Sequence, residues 1–232
     1  TALTTINLPK SLVSFNGGAF QGCTAITTIN CAEGSIFSMK GNLLMKNDTE
    51  IVFALPGVEI TGELVIPEGI TTIAAYAYQN KTGITSVKFP STLTSIGQSA
   101  FSGCTGITLR GVTAGHTEEP GECSGGVLNF QRCNDILIDA CRLYGCGIVG
   151  VSASDSSSLT VKDTEIYECS NAAVTLWSVS GAVFDNCNIY NCGTPELVLA
   201  DSSTTYNGTA LKSLDYSLEN GVPVEYVYPG IH

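Results

Sequence analysis

Ile84–Gly106 reads ITSVKFPSTLTSIGQSAFSGCTG, and Thr61–Gly83, TGELVIPEGITTIAAYAYQNKTG, carries the same pattern 23 residues earlier. Val87 answers Leu64, Phe89 answers Ile66, Pro90 answers Pro67, Leu93 answers Ile70, Ile96 answers Ile73, Ala100 answers Ala77 and Phe101 answers Tyr78. Leu3–Ala25 is an earlier copy, in which Ile6, Leu8, Pro9, Leu12, Phe15, Ala19, Phe20, Gly22 and Cys23 take the corresponding places. Self-similarity at a fixed period of about 20 to 50 residues marks a solenoid, whose units bury their apolar faces only by stacking on one another. In each copy the alternation at Ile6/Leu8, Leu64/Ile66 and Val87/Phe89 marks a short strand with one inward face. The Pro that follows ends it, because Pro cannot donate to a ladder.

A second coil begins at Ile26–Cys31, ITTINC, and is interrupted until the pattern resumes near Thr61. The interruption, residues 32–60, holds three short apolar runs split by Lys40-Gly41-Asn42 and Lys46-Asn47-Asp48-Thr49, which are turn-type clusters. Ser35–Leu55 is therefore read as a small hairpin or meander projecting from the stack. Its Met39, Lys40 and Lys46 are candidate ligand contacts.

From Ile107 the pattern changes while the period survives. Ile138–Cys146 maps onto Val161–Cys169 and onto Phe184–Cys192. The inward columns are Leu128/Val151/Val174, Phe130/Ala153/Leu176, Ile138/Val161/Phe184 and Leu143/Ile166/Ile189. An earlier coil fits if Leu109 answers Ile138, a spacing of 29 that requires six extra residues to bulge within Gly115–Gly126. Leu197 and Leu199 continue the register beyond Val174 and Leu176. Asp201–Gly208 reads as a polar turn region, and Val222–Tyr228 alternates as a final strand would. The expected architecture is one all-β solenoid: repeat coils over 1–106, a second coil type over 107–212, and a cap or linker over 213–232.

Composition narrows the partners. A net charge of -11 with 10 Lys and Arg disfavours nucleic acid and anionic membrane surfaces, which require clustered cations. No apolar run reaches the roughly 18 residues of a membrane helix. The chain begins within a repeat and without Met, so it reads as a processed chain or an excised fragment. The expected state is a monomer.

The segments LPxxLxxFxxxAFxGC (Leu8–Cys23) and FPxxLxxIxxxAFxGC (Phe89–Cys104), with the insertion SMKGNLLMKNDTEIVFALPG, resemble the BspA-like class of leucine-rich repeats. The third coil departs from the pattern, with Tyr78 for Phe and Lys81 for Cys. The resemblance implies a secreted or surface-attached bacterial protein, often an adhesin for host proteins or other cells, without enzymatic activity. NDILIDACRLYGCG and GAVFDNCNIYNCG resemble right-handed parallel β-helix repeats, the scaffold of pectate lyases and of many bacterial surface proteins.

Several constellations bear on chemistry. Cys146, Cys169 and Cys192 share one position in successive coils, about 4.8 Å apart and pointing the same way, whereas a disulfide needs Cβ atoms about 3.8 Å apart and turned together. They are read as a reduced interior ladder, with Cys141 and Cys187 in a second column on either side of Thr164. Asp139 and Asp185 lie two coils apart, about 9.6 Å, near the outer limit for inverting glycosidases. Lys162 stands between them, and beside them Arg142, Glu165 and Asn188 form a column of the kind that stabilises a solvated sheet face.

Tyr144, Tyr167 and Tyr190 form a third column that either stabilises the stack or meets sugar rings. The loop Gly115–Gly126, GHTEEPGECSGG, is oxygen-rich enough to hold Ca²⁺ but reads first as a surface loop at the junction. No GxSxG, P-loop, HExxH or paired zinc motif is present. The expected function is extracellular binding or adhesion, with no cofactor, no metal and no catalysis. Its partner is a host or neighbouring-cell protein or glycan, contacted through Tyr144, Tyr167, Tyr190, Met39, Lys40 and Lys46. The alternatives are a carbohydrate-active β-helix enzyme, a lyase or glycosidase using Asp139 and Asp185, and a structural spacer.

Overall fold

The computed structural model describes residues 2–14, 17–20, 22–97, 99–116, 126–145 and 148–229. The described chain is a β-solenoid with no α-helix; its one helical turn is the 3-10 segment Gly17–Phe20. In the C-terminal half each coil has three sides, and each side is a parallel sheet. The first side stacks Thr108–Arg110, Asn134–Asp139, Ser157–Lys162, Ala182–Asp185 and Thr204–Tyr206. The second stacks Thr113–His116, Arg142–Gly145, Glu165–Tyr167 and Asn188–Tyr190. The third stacks Leu128–Gln131, Val151–Ser154, Val174–Trp177 and Leu197–Ala200. The expected columns hold: Val151 pairs Val174 and then Leu197, and Leu109 pairs Ile138 across the irregular spacing. The inward residues of these columns are buried.

Each corner is built the same way. A residue in the left-handed region turns the chain, and the next residue points inward. Arg132, Asp155, Ser178 and Asp201 do this before Cys133, Ser156, Val179 and Ser202, and Ala140, Asp163 and Asn186 before Cys141, Thr164 and Cys187. The inward hydroxyl or thiol then donates to the carbonyl two residues back: Ser156 Oγ to Ser154 at 2.7 Å, Thr164 Oγ1 to Lys162 at 2.7 Å, Cys187 Sγ to Asp185 at 3.5 Å. Where it is oxygen it also accepts from the coil below, Ser156 from Cys133 N at 3.1 Å and Thr164 from Cys141 N at 3.2 Å. At the Ser, Thr and Cys corners the buried polar atom is thereby satisfied, and the hydroxyls also link neighbouring coils.

In the N-terminal half the first side is the parallel pairs Thr5–Leu8 with Thr28–Cys31 and Gly62–Val65 with Ile84–Lys88. On the second side Thr72–Ile73 and Ser95–Ile96 follow Glu50–Ala54 in parallel, with Ile51, Ile73 and Ile96 in register. The meander therefore does not project. Its third strand, Glu50–Ala54, is the second-side strand of coil two, and only Phe37–Lys40 and Leu43–Lys46 are added, as an antiparallel hairpin on its edge. The reason is apolarity on both faces. Ile51, Val52, Phe53, Ala54 and Leu55 are all buried, as a strand covered on two sides must be. Ile51 and Ala54 join the main core, which runs without a break from Met45 to Tyr216 through both repeat types. Val52, Phe53 and Leu55 join a second core with Leu8, Ile26, Ile29, Phe37 and Leu44.

The C-terminal end also differs from expectation. Asp201–Gly208 contains the strand Thr204–Tyr206, stacked on Ala182–Phe184 at a spacing of 22, with Tyr206 buried against Phe184. Thr209–Leu211 folds back on it antiparallel, and Asp215–Glu219 and Val222–Glu225 close the third side the same way. Reversing strand direction ends the stack with hairpins in place of a raw parallel edge.

Candidate binding surfaces

The outward tyrosines come together as expected. Tyr144 and Tyr167 stack at 5.6 Å, and Tyr167 and Tyr190 at 5.1 Å with rings 1° from parallel. Each ring spends its face on the next, so the ladder presents edges and hydroxyls to solvent. Gly115, the register partner of Tyr144, has no room for a Cβ, which would collide with the Tyr144 carbonyl and with the edge of its ring. Asn188–Tyr190 is the last strand of this sheet. Beside the ladder, Arg142 donates to Glu165 at 2.8 Å and lies 5.7 Å from the centre of the Tyr167 ring. That carboxylate holds the guanidinium pKa above its ordinary value, and burial within the stack raises the Tyr167 phenol.

The hairpin candidates lie apart from this column. Met39 packs against the second core, Lys40 pairs with Asp48 at 3.3 Å and Lys46 with Glu50 at 3.7 Å. Ser38 and Lys40 together lower the Asp48 pKa. Asp139 and Asp185 sit in one outward column with Lys162 between them in register. Asp139 is 8 % exposed, and its Oδ2 is held by Arg110 Nε at 2.9 Å and Lys162 Nζ at 3.4 Å. The column therefore continues to Arg110, a residue the sequence reading did not single out because its spacing to Asp139 is 29 rather than 23.

The described cysteines are free. Burial pushes the Cys104 thiol up to about 12 and that of Cys187 up to about 11, while the hydrogen bond between Cys169 and Cys192 raises the first and lowers the second. Thiols held protonated in this way are poor nucleophiles and poor metal ligands. Cys146 and residues 117–125 of the junction loop lie outside the described residues. Among the described residues no group of three or more His, Cys, Asp and Glu is placed to hold a metal ion.

Lys81 stands where the repeat has Cys. It is 5 % exposed, and its Nζ donates to the carbonyls of Leu55, Pro56 and Val58 at 2.7, 3.1 and 2.6 Å. It clamps the return of coil two to coil three. Desolvation lowers its pKa, opposed by Glu59.

No curated protein and no solved structure gives a significant match. A family model described as a right-handed β-helix region matches residues 94–214, and one described as a BspA-type leucine-rich repeat region matches 1–61 and 57–113 in six copies. The matches support a repeat-built surface or binding protein in general terms, and BspA-type repeats are typical of surface or secreted bacterial proteins. The chain belongs to the right-handed β-helix family, and its N-terminal coils are leucine-rich repeats of the BspA type.

Proposed function

We propose that the chain is a bacterial adhesion or binding protein, secreted or held at the cell surface, that recognises a protein or glycan through its extended repeat surface. The observation that carries this reading is the continuous core from Met45 to Tyr216, which stacks coils of both repeat types into one unit that displays outward side chains in regular columns. A binding surface on rigid elements loses little conformational entropy on association. The spent ring faces of the tyrosine ladder tilt the reading towards a protein ligand, because sugar recognition by stacking needs free faces. The enzymatic alternative is less well supported, since Asp139 is tied to two cations and a third rung separates it from Asp185.

The test is an array of host matrix proteins and glycans probed with the purified chain, with Tyr190→Ala and with the double variant Lys40→Ala/Lys46→Ala. Point variants leave the fold intact where removal of the insertion would not, because Glu50–Ala54 belongs to the core. Saturable binding to a protein that one variant weakens supports the reading. Silence on every spot overturns it in favour of a spacer.

A further inference from the structure

The three sides of the β-helix half do not carry the same outward chemistry. On the first side Arg110, Asp139, Lys162 and Asp185 follow one another in register, and on the second Arg142 and Glu165 do. The third side is different. Its four parallel strands, Leu128–Gln131, Val151–Ser154, Val174–Trp177 and Leu197–Ala200, contain no Lys, Arg, Asp or Glu, in a chain whose net charge is -11. Strands without fixed charge cannot compensate the desolvation of a charged ligand, so this face suits an uncharged one.

The one aromatic side chain among the outward residues of these strands is Trp177, which is 56 % exposed. Its register partners are Ser154 on one rung and Ala200 on the other, both too short to cover an indole. Trp177 makes no ring contact with another described residue, whereas Tyr144, Tyr167 and Tyr190 stack on one another. The hydroxyls around it are unspent as well. At the corners Ser156 and Thr164 bond to main-chain groups, but the outward Ser152, Ser154 and Thr175 make no side-chain hydrogen bond among the described residues. Ser152 and Thr175 are register partners, about 4.8 Å apart, and Thr175 shares a strand face with Trp177 two residues on.

We propose that the third side of the β-helix half is a glycan platform, on which Trp177 stacks against the C–H face of a neutral sugar ring while Ser152, Ser154 and Thr175 hydrogen-bond its hydroxyls. A tryptophan that anchors a protein partner sits in a dry, packed, apolar surround. Apart from the small Val198 and Ala200 on the last rung, the neighbours of Trp177 on this face are free hydroxyls. A polyol satisfies them on binding, where an apolar side chain would bury them without partners. The inference rests on the binding reading above and assigns its glycan arm to a side other than the tyrosine ladder.

Trp177 is the only tryptophan in the chain, so its fluorescence reports on the platform directly. The purified chain is titrated with neutral oligosaccharides of glucan, xylan and mannan and with polygalacturonate as the charged counterpart, and calorimetry compares the variants. The expected result is a saturable change in Trp177 emission with at least one neutral oligosaccharide. Calorimetric binding of that sugar should weaken about tenfold or more in Trp177→Ala and recover in part in Trp177→Tyr. Thr175→Val keeps the shape of the side chain and removes the hydroxyl, and should weaken binding about threefold. Thr160→Val on the first side is the matched control and should bind as the wild-type chain does, with thermal melting confirming that each variant folds. No saturable change with any neutral oligosaccharide overturns the proposal, as does undiminished binding by Trp177→Ala or by Thr175→Val, or tighter binding of polygalacturonate than of every neutral sugar. If a protein found on the array binds the wild-type chain and Trp177→Ala equally while no glycan binds, the platform fails and the binding function stands.

Discussion

The leucine-rich coils and the β-helix coils rise by the same 23 residues but close their circuits differently. In the β-helix half all three sides are ladders, and each corner needs only a left-handed residue followed by a small inward Cys, Ser, Thr or Val. In the leucine-rich half the third side is made of turns. Tyr78 N donates to Ala100 O and Asn80 N to Ser102 O, both at 2.7 Å, and the space inside is filled by Tyr78 stacked on Phe101 at 5.2 Å. One half sets its register through main-chain pairing, the other partly through side-chain volume. The turn side is thus where the leucine-rich half absorbs a departure such as Lys81.

The largest effect separates one cooperative unit from two. Phe101→Ala and Phe184→Ala each remove a buried ring from the same continuous core, at a cost of about 3–5 kcal/mol. Because the core crosses the junction, both variants should shift one common urea transition, followed by tryptophan fluorescence of Trp177 and by circular dichroism. Two transitions, of which Phe184→Ala moves only one, would break the comparison by making the halves independent.

Lys81→Met comes next. The methionine fills the space but leaves the Leu55, Pro56 and Val58 carbonyls without their shared donor, an expected loss of about 2–3 kcal/mol. Hydrogen exchange should quicken first in Glu50–Val58, the segment the ammonium holds. A variant as stable as the parent would mean that the clamp is dispensable and that volume alone sets this side.

How much of this was legible depended on which forces leave a periodic trace. Inward columns such as Ile138/Val161/Phe184 did, because every rung must fill the same core volume. The strand Thr204–Tyr206 did not, since its spacing slips to 22 and its polar Thr204 and Thr205 resemble a turn. The run IVFAL hid its membership of coil two because burial on both faces erases the alternation that marks a solvent-facing strand. The tyrosine column was visible as a repeat, but ring stacking, which decides what it offers a ligand, is a matter of side-chain geometry.

Alkaline pH samples both halves through their buried thiols. Burial raises Cys104 to about 12 in the leucine-rich half and Cys187 to about 11 in the β-helix half. An unfolded thiol ionises near 9 while the folded one stays protonated, so stability is complete below pH 9 and falls as pH rises towards 11 to 12. At pH 10 the loss is roughly 1 kcal/mol per thiol. Cys104→Ala and Cys187→Ala should each flatten the fall measured by denaturant titration between pH 8 and 10. A slope unchanged in both would show that the thiols are not what the base reaches.

A pair of glycine substitutions is the sharpest discriminator, because the sign of the effect should differ between the halves. Glu168 and Tyr76 both hold φ near the left-handed well, at 56° and 63°. At Glu168 the exposed side chain lies outside the corner, and the inward work is done by Cys169. Glycine there removes the Cβ strain, offset in part by the greater freedom of the unfolded chain, and the net gain is about 0.5 kcal/mol. Tyr76 relieves the same strain on substitution but is partly buried on the turn side, lining the cavity beside Lys81. Tyr76→Gly loses that packing and should destabilise by about 1–2 kcal/mol despite identical backbone relief. Equal signs in paired urea titrations would mean that both repeat types close their circuits by backbone alone.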